Sequence, residues 1–359
     1  MIRWVLPLLL QLVAAIHRDS AFANWIEKYN KEYKSNEEVE YRYSVFLKNQ
    51  DYIKNANKME SSWQLGLNQF ADLTNKEFQE KYLMRNSWNI NQLPPKKMTV
   101  MTTIKSLPPS FDWRSDNTTA VVTSVKDQGS VGTCWAFSTI GNIEGQNAIK
   151  TNNLIDLSVE YLVDCDGSYD SDSHHADCSV FGGWPSLAYQ FIINAGGVPS
   201  EADWPYCCGT GDCYPCMEGP ISYCGPPPTY CDKEIPQRCP DMKPVASITS
   251  WTDISTNEDE IAQALIERGP LSVLLDATEL SYYKSGIWSG YINGTSPLLG
   301  CKSNLNHAVL LVGYGTADGV DYWTVKNSWG EKWGENGYFR ITRGQGTCGI
   351  NSAVTTAVI

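Results

Sequence analysis

The stretch that most constrains this chain is Gln128-Gly129-Ser130-Val131-Gly132-Thr133-Cys134-Trp135-Ala136-Phe137-Ser138. Two glycines mark a loop with special backbone angles. From Trp135 to Lys150 breakers are few, and Phe137, Ile140, Ile143 and Ile149 recur at helical spacing. The junction therefore sets Cys134 at a helix N-terminus, where unpaired N–H groups and the positive dipole end favour an anion. A thiol there, beside a protonated imidazole, ionises readily, and the thiolate is a nucleophile. The plain alternative is a buried structural cysteine.

A nucleophilic cysteine needs a base. The chain has four histidines. His17 lies in the N-terminal leader region, and His174 and His175 follow a run of Ser and Asp that reads as a solvated loop. Only His307 opens an apolar segment, His307 to Gly315, which reads as a buried strand ending in a turn. Asn327 follows the β-rich run Tyr322 to Val325, and Trp329 beside it can shield an Asn–His hydrogen bond from water.

With these residues in this order, the chain resembles the papain family of cysteine proteases, on its cathepsin L-like side and with a prodomain. The resemblance implies that Cys134 is the nucleophile and His307 the base. It makes Asn327 the group that orients the imidazole, and Gln128 an oxyanion donor together with the Cys134 backbone N–H. It implies an α+β, papain-like two-lobe fold: a helical lobe and an antiparallel β-barrel-like lobe, preceded by a helical inhibitory prodomain. It places Gly182, Gly183 and Trp329 along the substrate groove. The pocket for the residue two positions before the scissile bond falls to Trp184, Pro185, Leu274, Leu305, Ala308 and, at its base, Ala353. All six are apolar, so Leu, Val or Phe is expected there and Arg disfavoured, because an unpaired buried charge is costly.

The N-terminal third reads in three blocks. Residues 1–15 carry Arg3, an apolar run and Val13-Ala14-Ala15, a signal-peptide pattern. In residues 16–106, an inhibitory prodomain with its linker, Glu38, Arg42, Phe46, Asn49, Ile53 and Asn57 are spaced 4, 4, 3, 4, 4, on one face of a helix. They resemble the first prodomain motif of the family, and Gly66, Asn68, Phe70 and Asp72 the second. The resemblance implies a propeptide crossing the cleft in a reversed direction. The Pro-bearing linker would be cut near Lys105 to Leu107. Residues 107–359 form the peptidase domain, with a Cys-rich insertion at about 207–240.

Within that domain Ser158 can cap a helix over Val159 to Cys165, and Pro185 can open one that Gly196-Gly197 stops. A further helix spans about Asn257 to Arg268. Strands are expected at Leu271 to Asp276, at His307, at Tyr322 and at Tyr338 to Thr342.

Twelve cysteines point to an oxidising route. With Cys134 reserved, the rest are odd in number, so at least one cannot pair within the chain. The resemblance pairs Cys301 with Cys348, and Cys165 with Cys213, leaving Cys207 and Cys208 as alternatives. The family's partner for Cys178 would stand at position 131, which is Val131, so Cys178 is either free or paired with the insertion. The insertion's C-x2-C and the cluster His174, His175, Asp177 and Cys178 have metal-ligand chemistry, but oxidised loops and a wet turn are the simpler reading, and no metal or cofactor is expected.

The net charge of −12 argues against nucleic acid as a partner. Protein and peptide substrates and the chain's own prodomain are the expected partners, with no membrane span and a monomeric enzyme. The expected setting is the secretory pathway, in a lysosome-like acidic vacuole or outside the cell. Asn117 and Asn293 are then glycosylation sites. The alternative function is a catalytically weak homologue acting as a peptide-binding or Cys-rich extracellular interaction protein.

Overall fold

The computed structural model describes residues 20–359 apart from 60–61, 86–87, 91–92, 94–105, 116–118, 174, 208–238, 240–241, 291–300 and 302–303. The signal-peptide pattern, Asn117, Asn293, Cys213 and most of the expected cleavage region lie outside the described residues.

The chain opens with helices α1 (Ser20–Tyr29) and α2 (Asn36–Ala56). Ser35 caps α2 by accepting from the Glu38 N–H. The polar residues Arg42, Asn49 and Asn57 of the motif are spent on one partner, the segment from Leu65 to Glu77. The Asn57 side chain bonds both backbone groups of Leu65, Asn49 bonds the Ala71 and Leu73 carbonyls, and Arg42 bonds the Asp72 carbonyl and pairs with Glu77 at 2.8 Å. Phe46 packs with Phe22 and Trp25 in a small aromatic core. In the second motif Asp72 pairs with Lys31 at 3.2 Å and accepts from the Tyr33 hydroxyl.

Strand β1 (Trp63–Leu65), helix α3 (Asn75–Tyr82) and strand β2 (Trp88–Asn89) complete the N-terminal part, and β3 (Phe111–Asp112) follows. Thr74 and Glu77 form a reciprocal capping box at the start of α3. The helical lobe holds α4 (Cys134–Thr151), α5 (Val159–Cys165) and α6 (Pro185–Ala195), with the short pair β4 (Tyr169–Asp170) and β5 (His175–Ala176) between the last two. Ser158 caps α5, and α6 has Pro at its first position and Gly196 in the left-handed region at its end. These three helices match the sequence expectations.

The remaining elements are β6 (Ser250–Asp253), α7 (Glu258–Arg268), β7 (Leu271–Leu275), β8 (Tyr283–Trp288), β9 (Asn304–Leu305), β10 (His307–Ala317), β11 (Val320–Lys326), β12 (Tyr338–Thr342) and β13 (Val354–Val358). One sheet runs in the order β1-β8-β12-β11-β10-β7-β13-β6, with β3 on β10. The pairing is antiparallel except β12 with β8, which is parallel. The N-terminal strand β1 forms one margin of this sheet, and Trp63 lies against Trp288 with ring centroids 4.6 Å apart. Gly286, opposite Trp63, has φ 93°, and a Cβ there would meet the Ser62 carbonyl at 2.2 Å. The position needs glycine for the strand to dock. Among the described residues no helix is long and apolar enough to cross a membrane.

Two disulfides have both ends among the described residues. Cys301–Cys348 agrees with expectation. Cys165 corrects it: its partner is Cys239, at the end of the Cys-rich segment, and not Cys213. The insertion is thus tied at its far end back to the C-terminus of α5. The family resemblance favoured the nearer cysteine, but a loop can return to its base from any length at little extra entropic cost. Cys178 is disulfide-bonded, as is Cys207, so Cys178 is not a free thiol.

Candidate active site

Cys134 opens α4 and is fully buried. Its Sγ accepts from the Ala308 N–H at 3.4 Å, which sets the thiol against the first residues of β10. His307 is the first residue of that strand and also fully buried. Its Nε2 lies 2.8 Å from Asn327 Oδ1. The same Oδ1 accepts the Ser328 N–H at 2.8 Å, so the oxygen, and not the amide nitrogen, faces the imidazole. Nε2 therefore carries the proton, and Nδ1, which meets no partner among the described residues, keeps its lone pair. Trp329 stacks on the ring with centroids 4.6 Å apart. Helix α4 packs across β10, which brings a cysteine and a histidine far apart in sequence to one seam.

Gln128 is fully buried beside them. Its Oε1 accepts from the Ser328 hydroxyl, and its Nε2 donates to the Val131 carbonyl at 2.6 Å and to the Tyr82 carbonyl at 3.0 Å. Tyr82 ends α3, so a carbonyl of the N-terminal part occupies the amide donor of Gln128.

The same segment then runs along the cleft. A Cβ at Gly132 would meet the Leu83 carbonyl at 3.1 Å, and one at Gly182 would meet Met84 Cβ at 2.9 Å. Met84 N–H donates to Asn306, Arg85 N–H to Phe181, and β2 pairs with β9. Leu93 reaches a cavity of about 470 Å³ lined also by Trp184, Pro185, Leu187, Leu274 and Ala353. Four of the six expected pocket residues thus share one cavity. Leu305 and Ala308 are buried but do not line it. Nor is it wholly apolar, because Asp170 and Asp253 line it as well. Asp253 pairs with Thr355 across β6 and β13, and Thr355 also lines the cavity, two positions after Ala353.

Burial governs the charges here. It pushes the Cys134 thiol up to about 12, against hydrogen bonds from backbone N–H groups that pull it down. It pushes the His307 imidazole down to about 4, against the Asn327 contact that raises it. Under its cover the pair is held toward neutral thiol and neutral imidazole, not toward the ion pair that a helix N-terminus alone would favour.

His175 departs from the sequence reading. It is not in a wet loop; it is buried and stacks on Trp184 with centroids 4.2 Å apart. The short strand pair β4–β5 places it there, and a polar run of Ser and Asp hides that pairing. Glu77 and Tyr82 were not singled out from sequence. Glu77 had a signal, the Thr74-x-x-Glu77 capping box; the Tyr82 carbonyl had none, since any residue supplies one.

Asn327→Ala should cost less than loss of the nucleophile, about 10- to 100-fold in kcat, since it leaves Nδ1 in place and removes only the group that fixes the ring. Steady-state kinetics on a fluorogenic peptide would measure it, and a loss as large as that of Cys134→Ser would make Asn327 more than an orienting group.

Residues 107–358 match the family described as papain family cysteine protease, and residues 22–78 match the cathepsin propeptide inhibitor domain. A relative from Arabidopsis thaliana, described as probable cysteine protease RD19B, is 37% identical over 350 residues, covering 93% of this chain and 85% of the relative. Cathepsin F of Mus musculus is 35% identical over 340 residues, covering 94% of this chain and 64% of its own length. Among solved structures, the recombinant stem bromelain precursor superimposes with a TM-score of 0.73 at 33% identity, covering 94% of this chain and 98% of that one. Procathepsin L 3 of the Tenebrio molitor larval midgut gives a TM-score of 0.71 at 31% identity, covering 94% and 97%.

Proposed function

This chain belongs to the papain family of cysteine proteases and carries a cathepsin-type propeptide, and we propose that it is an endopeptidase in which Cys134 and His307 act as nucleophile and base. The observation that carries the reading is the linked pair of contacts from β10: Ala308 N–H on Cys134 Sγ, and His307 Nε2 on Asn327 Oδ1. In the uncovered enzyme Nδ1 takes the thiol proton and the thiolate attacks the scissile carbonyl carbon. The carbonyl oxygen gains the negative charge and is met by Gln128 Nε2 and the Cys134 N–H. The imidazolium returns its proton to the leaving amine as the C–N bond breaks. Water, deprotonated by the imidazole, then releases the acyl group and restores the thiol.

In the zymogen the Gln128 donor is spoken for, because its Nε2 already serves the Tyr82 carbonyl. The propeptide also runs the wrong way for cleavage. From Leu83 at Gly132 to Leu93 in the cavity, its residue numbers rise from the thiol toward the pocket. In a substrate they would rise from the pocket toward the thiol.

Endopeptidase action is favoured by the sequence of the insertion. The insertion from Cys207 to Cys239 contains no histidine to hold a substrate C-terminus. His175 is buried against Trp184, on the pocket side. We place the enzyme in the secretory pathway, in an acidic vacuole or outside the cell, where its disulfides would persist.

Covalent labelling of Cys134 by an epoxide inhibitor after acid treatment, together with hydrolysis of a fluorogenic peptide, tests the assignment. Hydrolysis by protein that remains unlabelled would remove it. For the pocket, Leu two positions before the scissile bond should raise kcat/KM over Ala by about tenfold or more, from burial of roughly 1.5–3 kcal/mol of side chain. Arg should fall below Leu. Paired substrates differing only at that position measure both, and equal or faster cleavage of the Arg substrate would make Asp253, and not Ala353, the floor of the pocket.

A further inference from the structure

The Cys-rich insertion has no part in the catalytic reading, yet the residue that leads into it touches the oxyanion loop. Tyr206 immediately precedes Cys207. Its hydroxyl donates to the Gln128 carbonyl at 2.8 Å. The Thr133 hydroxyl lies 2.8 Å from the same phenol oxygen. A phenol has one proton, and a carbonyl can only accept. The proton therefore goes to Gln128, and Thr133 donates to the phenol. One oxygen thus joins both ends of the loop from Gln128 to Thr133. At one end stands the Gln128 side chain, one oxyanion donor; at the other the chain passes to Cys134, whose N–H is the second.

The loop depends on such ties. Residues 128–133 contain no cysteine, so no disulfide fixes them. Thr133 is fully buried before α4, but its side chain does not cap that helix. Ser328 accepts the Gln128 N–H at 2.8 Å, and the Val180 carbonyl accepts the Gly132 N–H at 2.7 Å. Tyr82 adds two contacts, its carbonyl on Gln128 Nε2 and its hydroxyl on Ser130, and both leave with the propeptide. Tyr206 is itself anchored. Its N–H donates to Glu201 Oε1 at 2.8 Å, and the Cys207 N–H donates to Oε2 of Glu160, on α5, at 3.1 Å. Its ring stands edge-on to Phe137 of α4, with centroids 4.8 Å apart. Cys207 is disulfide-bonded.

We propose that the Tyr206 phenol is the tether that sets the oxyanion loop, so that the base of the Cys-rich insertion positions the donors of the reaction. Tyr206 is a positioning residue. It acts through the Gln128 backbone and through Thr133, and it touches neither thiol nor imidazole among the contacts described. The tether matters most in the processed enzyme, where the Tyr82 contacts are gone. The proposal rests on the protease reading for its kinetic consequence.

Tyr206→Phe provides the test, since it keeps the ring against Phe137 and removes only the oxygen. In the acid-processed enzyme kcat should fall about tenfold, with KM changed by about twofold or less. Gln128→Ala should itself cost about 10²-fold. In that background Tyr206→Phe should cost only about threefold or less, because the amide it positions is already absent. A merely structural tyrosine would give the same loss in both backgrounds. Hydrogen exchange reads the loop without turnover. Amides of residues 129–134 should exchange about threefold faster in full-length Tyr206→Phe than in wild type, and the ratio should grow after processing. Unchanged kcat, a full tenfold loss in the Gln128→Ala background, or unchanged exchange overturns the proposal. If no form hydrolyses peptide, the protease reading fails instead, and exchange alone decides the tether. Should Tyr206→Phe not fold, Thr133→Val cuts the tether at its other end, and the same faster exchange is expected of it.

Discussion

Cys134→Ser and His307→Ala should each lower kcat on a peptide substrate by about 10⁴-fold or more while leaving a folded, processable protein. The cysteine Sγ accepts the Ala308 N–H, and serine fits its site with a smaller atom. Little packing is lost, so the change falls on chemistry: an alkoxide is far harder to form than a thiolate. For His307→Ala the loss is larger in volume. The ring stacks on Trp329 and is held by Asn327, so some stability goes with it. Thermal melts of the full-length variants separate the two effects. A His307→Ala enzyme working within a few fold of wild type would take the role of base away from His307.

Phe70→Ala in the full-length chain should release a large part of its latency at neutral pH. Phe70 is buried where propeptide meets enzyme, edge-on to Trp329 at 5.6 Å and against Phe78 and Tyr82. Truncating such a ring costs about 3–5 kcal/mol, which weakens a docking equilibrium by 10²-fold or more. Because Trp329 also stacks on His307, the loosened contact lies next to the site being inhibited. Wild type should hydrolyse peptide only after acid treatment, and the variant without it. A variant as silent as wild type at neutral pH would place the grip of the propeptide elsewhere.

Acid should act on the same docked fold through Glu77. Burial pushes its carboxyl up, but the Thr74 backbone and hydroxyl hydrogen bonds and the Arg42 guanidinium outweigh burial and hold it below its ordinary range. A lowered carboxyl stabilises fully above the unfolded range and ceases to do so as pH falls through its own value. Glu77→Gln in the full-length chain should therefore process at a higher pH than wild type, read as the midpoint of processing against pH. Unchanged midpoints would show that other carboxyls set the threshold.

The parts of this fold that are local in sequence were legible. Cys134 at a helix start, Ser158 as a cap, Pro185 at a first turn and Asn257 capping α7 each follow from backbone chemistry within a few residues. His307 and Asn327, the proposed base and its orienting amide, could be singled out because the chain offers few histidines and one apolar strand to carry them. What escaped was long-range. The strand at Trp63–Leu65 exists because β8 is there to pair with it, and no three-residue run declares that partner. Cys165 had several acceptable partners by spacing, and only the path of the insertion selects Cys239.

Strand β8 has a neighbour on each side only while β1 lies along it. Maturation strips that neighbour and leaves Tyr283–Trp288 with a row of unsatisfied main-chain donors and acceptors. A naked margin of this kind invites any extended chain, including a second copy, to add a strand. Two features blunt it. Gly286, in the left-handed region, interrupts the flat run, and Lys284 stands exposed upon it. Replacing Lys284 by an apolar residue would thus matter little to the zymogen and a good deal to the colloidal behaviour of the ripened enzyme.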